Sequence, residues 1–224
     1  MDAATLNARV YAGRAKAAQR LGTPFTIYRP TSTVNPLTAG QGDTFVALNA
    51  ADNIYRKPNL YGHPVWFADM DGRLVNTGDY LVSADGTQTY FVGAKQSLLP
   101  IVAIECNQSV RITRAAQTPG AVGGVGYSGL CDSAGEAVNV IGQQTPFIGW
   151  PCSMLLGKGN EKVTNALPAG TRQQPGWMVL LPVSVPVGLG IGDRMVDANN
   201  RIYSIQQAER TDMGYRIIAS EVHG

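Results

Sequence analysis

The chain has 224 residues, 44% of them apolar and 15% charged, with 18 Lys and Arg against 16 Asp and Glu for a net charge of +2. That length accommodates one large domain or two of about 100 residues, and the charge balance gives no strong pull toward nucleic acid or an anionic membrane. The charged share lies below the ~25% usual for globular chains. Polarity comes instead from Gly, Asn, Gln, Ser and Thr, which implies many turns, few salt-laced helices and a surface partly covered by other subunits.

The first element in chain order is a helix over residues 2–21, with Asp2 as N-cap and Gly22 and Pro24 as stop signals. Basic residues run through this segment and it has no apolar core, so a signal peptide is not expected. Ala3, Leu6, Val10, Ala17 and Leu21 fall on one stripe, and Arg9, Lys16 and Arg20 on a second beside it. Two readings follow: a helix packed on its own domain with a solvated basic edge, or one that docks on a partner through both stripes.

From Pro24 onward the pattern is β. PFTIYRP (24–30) alternates between two prolines and suits an edge strand. Residues 31–43 read as a connector. Short strands are expected at 45–48, 63–68, 80–84 and 89–94, followed by a long one over 102–112. Turn signals between strands at ~8–12 residue spacing point to a barrel or sandwich. Residues 113–176 hold two further expected strands, 138–142 and 146–150, between a Gly-rich stretch (118–129) and a polar, turn-rich stretch (157–176) that reads as an extended arm. Clear strands return at 177–183, 193–198, 201–209 and 214–222. The expected fold class is mainly β: an N-terminal helix (1–23) and two small barrel or sandwich modules, 24–116 and 117–224. No apolar run approaches the ~20 residues that a membrane helix needs.

Both halves close on one cassette. GDYLVSADGTQTYFV (Gly78–Val92) has a looser copy in GDRMVDANNRIYSI (Gly192–Ile205). Asp85-Gly86 and Asn199-Asn200 are hairpin turn signals, since Gly and Asn tolerate the left-handed region. Gly78 and Gly192 permit a sharp entry, and Asp79 and Asp193 can accept backbone N–H bonds there. Neither aspartate has a His, Glu or Lys neighbour in sequence, so these eight residues read as structural turns.

Catalytic and metal-binding patterns are sparse. Cys106, Cys131 and Cys152 are odd in number and widely spaced, which reads as free thiols without zinc spacing. A hydrolase would have to use His63 or His223, the two histidines, and neither lies in a nucleophile motif. Gly124–Gly129 fits G-x-G-x-x-G, but no amphipathic helix follows. Asp69-Met70-Asp71-Gly72 starts like a calcium loop, but Arg73 and Tyr80 occupy ligand positions. Gly157-Lys158-Gly159 lacks P-loop spacing. Arg111 and Arg114 could touch phosphate, though without a basic run they read as solvated or paired. Trp66, Trp150 and Trp177 read as core residues, or alternatively as the lining of a carbohydrate groove. No enzyme activity, cofactor or metal is expected.

The segment Gly78–Ala115, after a short helix and a YRP connector, resembles structural proteins of tailed bacteriophages encoded among the head-completion, neck and tail genes. The closing GDRMVDANNRIYSIQQAERTDMGYRIIASEV is similar to the β-barrel ending of phage head-closure and tail-associated proteins. The resemblance implies a non-enzymatic virion subunit, assembled in the host cytoplasm into a homo-oligomeric ring at the neck or head–tail junction. The alternative is a tail or baseplate component with a carbohydrate-binding sandwich. Its partners would be further copies of itself and neighbouring portal, adaptor or tail-tube proteins. DNA would enter only by passage through a channel, without sequence-specific binding, and no membrane is implied. In the helix, Arg9, Lys16 and Arg20 are candidate partner contacts.

Overall fold

A computed structural model of the chain describes residues 2–51, 62–115, 137–157 and 176–222. Helix α1 spans Ala3–Leu21. Asp2 caps it, one carboxylate oxygen accepting from the Thr5 N–H at 2.8 Å. Gly22 ends it for want of room, because a Cβ there would lie 2.5 Å from the Val46 carbonyl. The face that packs is Asn7, Tyr11, Arg14 and Ala18, roughly a quarter-turn from the apolar stripe read in the sequence. Tyr11 and Ala18 are buried, whereas Leu6 and Leu21 are 42% and 62% exposed. Polar bonds choose that face: Arg14 pairs with Asp69 at 2.9 Å, and the Asn7 side chain accepts from the Leu98 N–H at 3.2 Å.

Thirteen strands follow among the described residues. β1 (Thr23–Tyr28), β2 (Gly40–Asn49), β3 (Val65–Asp69), β4 (Tyr80–Ser83), β5 (Thr89–Ala94) and β6 (Ile101–Cys106) form a closed antiparallel barrel in the order β1-β2-β3-β6-β5-β4. The second sheet holds β7 (Gln108–Ala115), β8 (Ala137–Ile141), β9 (Trp150–Leu156), β10 (Gly176–Pro182), β11 (Arg194–Asp197), β12 (Ile202–Arg210) and β13 (Gly214–Val222), ordered β11-β12-β13-β10-β9-β7-β8. An additional β11–β7 pairing closes six of its strands into a second barrel and leaves β8 as a flap on β7.

The two barrels are the same object. Each pairing in the first has a counterpart in the second, with β7, β9, β10, β11, β12 and β13 in the places of β1, β2, β3, β4, β5 and β6. The register corresponds as well. Ile27↔Leu81 and Tyr28↔Tyr80 become Ile112↔Met195 and Thr113↔Arg194. Even the bulge recurs, at Val92/Ala94 and at Ile205/Gln207. On this map Trp66 matches Trp177, Tyr90 matches Tyr203 and Glu105 matches Glu221. The chain therefore carries a duplicated six-stranded barrel, of which the Gly-Asp cassette is the most legible part.

Four strand expectations change. β1, expected at an edge, is paired on both sides, by β2 and by β4. The sheets divide at Asn107, so β7 belongs to the second barrel and the segment 102–112 is two strands. The Asn107 side chain makes the hand-over by imitating a backbone: its Nδ2 donates to the Met154 carbonyl at 2.8 Å and its Oδ1 accepts from the Met154 N–H at 2.7 Å. The expected strand at 146–150 is a turn bridged by Gln143 and Ile148, and the strand proper is β9. Its Pro151 disguises it in the sequence. The connector over 31–43 also yields its last residues to β2, which begins at Gly40. The proposed arm lies outside the described residues except at its ends, Gly157 and Gly176.

Leu81, Tyr90, Val92 and Ala103 point into the first barrel, whereas the alternating Tyr80, Phe91 and Ile104 join the core of the second. Tyr80 is fully buried, donates its hydroxyl to the Pro151 carbonyl at 2.8 Å, and meets Phe91 and Trp150 edge-on. The positions equivalent to Tyr80, Phe91 and Ile104 in the second barrel are Arg194, Ser204 and Ser220, a polar face.

Asn107→Ala deletes both bonds to Met154 and leaves partly buried backbone groups unpaired. Loss of about 1–3 kcal/mol is expected, read as a lower urea midpoint with unchanged slope.

Candidate functional site

Each barrel is locked at its seam by one arginine and one aspartate. Arg29 follows β1 directly, and Arg114 is the penultimate residue of β7. Arg29 grips Asp79 through Nε at 3.0 Å and Nη2 at 2.8 Å. Arg114 grips Asp193 through the same two nitrogens, each at 2.7 Å. Both pairs are bidentate, the geometry in which guanidinium and carboxylate bind most strongly. The carboxylates are 2% and 3% exposed, which makes the arginines obligatory counter-charges. The aspartate hydrogen bonds in turn hold the guanidinium of each arginine protonated more firmly than usual.

The rest of the turn is duplicated too. Asp79 accepts from the Asn76 N–H at 2.8 Å, and Asp193 from the Gly190 N–H at 2.9 Å. Gly78 and Gly192 sit at φ +91° and +89°, a conformation open mainly to glycine. The Gly78 N–H donates to the Val92 carbonyl and the Gly192 N–H to the Ile205 carbonyl, tying the entry of each hairpin to its second strand. Gly78 has a further duty, since a Cβ there would stand 2.9 Å from Ser184, whose hydroxyl donates to the Gly78 carbonyl at 2.7 Å.

The hairpin tips differ. Gly86 and Asn200 take positive φ, +71° and +62°. Asp85 is held ionised below the usual carboxylate range by hydrogen bonds from the Ser83 and Thr87 side chains and the Thr87 N–H. In the second hairpin the buried Asp197 does that work, accepting from the N–H groups of Asn199 and Arg201 and the hydroxyl of Tyr203. Sequence reading missed Asp197, although its place before a tight Asn-Asn turn is a usable signal. It also missed Arg29 and separated Arg114 from Asp193. The recurrence of an arginine at the end of an alternating strand in both halves was the available clue.

The other candidates separate into distinct places. Asp69 and Asp71 hold Arg14 and Arg73, and Gly72 is the pad under the Tyr11 ring. Arg111 is half-buried with its Nε unpartnered, and burial lowers its pKa. Trp66 donates to Glu105 at 2.8 Å. Trp150 is fully buried and donates to the Thr33 carbonyl, and Trp177 stands edge-on to Tyr203. The three tryptophans belong to barrel strands, Trp66 to β3 of the first barrel and Trp150 and Trp177 to β9 and β10 of the second. His63 is exposed, and His223, Cys131 and Gly124–Gly129 lie outside the described residues, as do Lys158 and Gly159. Among the described residues no three His, Cys, Asp or Glu side chains converge as metal ligands.

One groove opens between the barrels, about 360 Å³ in volume, with Phe91 and Ile104 of the first barrel on one wall and Leu181, Met213 and Tyr215 of the second on the other. Arg9, Lys16 and Arg20 are exposed on α1, away from this groove. No helix among the described residues is long and apolar enough to cross a membrane. In comparisons with known proteins, no family model, curated protein or solved structure matches the chain.

Asp79→Asn and Asp193→Asn each break a bidentate pair between a buried carboxylate and a half-exposed arginine. Each is expected to cost about 2–4 kcal/mol, between the limits for exposed and buried pairs, and to lower the thermal midpoint. Cys106 and Cys152 are free thiols whose pKa burial pushes well up. Cys106 is half-buried and Cys152 fully buried, so in a Cys106→Ser/Cys131→Ser background Cys152 should stay silent to a thiol reagent at pH 8 and react only on unfolding. Rapid labelling of that native variant would contradict its burial.

Proposed function

We propose that the chain is a non-enzymatic structural protein of a tailed-phage virion, a subunit that assembles into a homo-oligomeric ring at the neck or head–tail junction. The observation that carries this reading is the duplicated barrel. The segments that resemble phage structural proteins, Gly78–Ala115 and Gly192–Val222, hold the closing strands of each barrel, β4–β6 and β11–β13, the first of them running on through β7. Tyr80, set against Trp150 and Pro151, and the Asn107 hand-over join the two barrels with little loop at the joint, which suits a subunit of a rigid ring. The low charged share and exposed apolar side chains such as Leu6, Leu21 and Ile191 fit a surface that other subunits cover. Its neighbours would be portal, adaptor or tail-tube proteins, with DNA passing through the lumen.

The test is electron microscopy of purified particles together with mass spectrometry of their protein content. The chain is expected in the particle, in multiple copies arranged around the tail axis. A protein that stays monomeric and is missing from purified particles would sink the proposal.

A further inference from the structure

The outer wall of the second barrel carries a cation that the described chain leaves without an acid. Arg111 is half-buried on β7, and its Nε is enclosed with no hydrogen-bond partner. Among the described residues it makes no ion pair. A guanidinium drawn out of water without a counter-charge costs free energy, yet the fold makes room for this one. Gly142, at φ +79°, lies against it, and a Cβ there would stand 2.8 Å from the Arg111 Cβ. The duplication identifies what is missing. The position equivalent to Arg111 in the first barrel is Thr26, whose hydroxyl donates to Asp43 on the opposite strand at 2.7 Å. The register puts Gly149 in the place of Asp43, one step past the Val110↔Trp150 pair. The second barrel thus gains a cation where it loses the acid.

Arg111 heads a cross-strand row. It stands opposite Val196, Val196 opposite Ile202, and Ile202 opposite Val222, so all four side chains share the outer face. Val196 is buried, whereas Ile202 and Val222 are 40% and 44% exposed. In the next row Arg194 is exposed and has no ion pair among the described residues. The acids nearby are engaged or face elsewhere. Asp193 holds Arg114, Asp197 accepts from the turn N–H groups, and Glu209 pairs with Arg216 at the far end of the wall. Glu221 stands opposite the inward Tyr203 and belongs to the other face. Arg201, exposed in the turn before β12, adds to the positive sign. The same wall of the first barrel is already an interface, since Tyr80, the counterpart of Arg194, seats that barrel on the second.

We propose that this wall is a docking face for a different protein, which places an Asp or Glu carboxylate on the Arg111 guanidinium and an apolar side chain over Ile202 and Val222. A carboxylate is the group that satisfies Nε and one Nη together, in bidentate geometry. Two copies meeting wall to wall would set arginine against arginine, so the occupant is not this same face of a second chain. The exposed Ile202 and Val222 favour a protein carboxylate over the phosphodiester backbone of a nucleic acid, whose interfaces are more polar. The proposal takes from the ring reading above only the place where the neighbour is met.

Purified particles carrying the Arg111→Lys chain test it with a water-soluble carbodiimide. The reagent activates a carboxylate, the lysine amine attacks it to form an amide, and the carbodiimide leaves as its urea, so only a touching carboxylate is captured. Mass spectrometry is expected to find position 111 joined to an Asp or Glu of a second protein, with less of that product when Ile202→Gln/Val222→Gln is added. A link to Asp132 or Glu136 of the same chain, a link to another copy, or no link in particles that hold the chain overturns the docking and leaves the ring reading standing. A chain missing from particles ends the ring reading, and the isolated chain then decides the docking. The nuclear magnetic resonance signal of the Arg111 Nε–H should shift with a synthetic peptide alternating Glu and Leu. A shift with duplex DNA alone, or with neither probe, overturns the docking. Arg111→Met keeps the stem and removes the charge, and should leave the thermal midpoint unchanged or raise it. A lower midpoint would mean that an acid within the chain pairs with Arg111, which also overturns the docking.

Discussion

The bidentate pairing of an arginine with a buried aspartate at each barrel seam is the constraint on which the fold rests. A small antiparallel barrel must bring its first strand against a strand that arrives much later in the chain, and loop-closure entropy opposes this. Arg29 lies 50 residues from Asp79, and Arg114 lies 79 residues from Asp193. In both barrels the pair fastens the end of the opening strand to the turn that launches the closing one. The buried carboxylate supplies specificity rather than net stability. Its desolvation offsets much of the Coulombic gain, so its value lies in making any other register leave a charge unpaired.

From these seams the rest follows in order. Fixing the Gly-Asp turn aims β4 so that Leu81 enters the first barrel and Tyr80 leaves it. Tyr80 then lies against Trp150 and Pro151, and the first barrel is seated on the second. In the second barrel the same turn aims Met195 inward and Arg194 outward. The duplicated scaffold thus gives one barrel an adhesive outer wall and the other a soluble one, through substitutions at matching positions.

Much of this was legible in sequence, for physical reasons that differ by element. The Gly-Asp cassette could be read because turn chemistry is local: positive φ at Gly78, Gly86 and Gly192 and the Asn200 turn depend on few neighbours. The helix ends were legible through Asp2 and Gly22. The packing face of α1 was not, because hydrophobic periodicity is blind to a face held by Arg14 and Asn7 through hydrogen bonds. The Arg–Asp pairs were invisible because their members meet only through the closed barrel. Asn107 escaped notice because an asparagine within an alternating run looks like one more outward polar residue, whereas its side chain carries the ladder from one sheet to the next. Strand β9 was hidden by Pro151, whose missing N–H the fold does not need and whose carbonyl it uses.

The unlike outer walls of the two barrels have a consequence for growth. α1 covers β2 and β3 of the first barrel, the counterpart of the wall formed by β9 and β10 on which that barrel sits within the chain. The free wall of the second barrel ends in Arg194, Ser204 and Ser220. The stacking contact that seats the first barrel on the second is therefore used once: the duplicated scaffold offers no second pair of matching walls on which a third barrel could be laid in the same way.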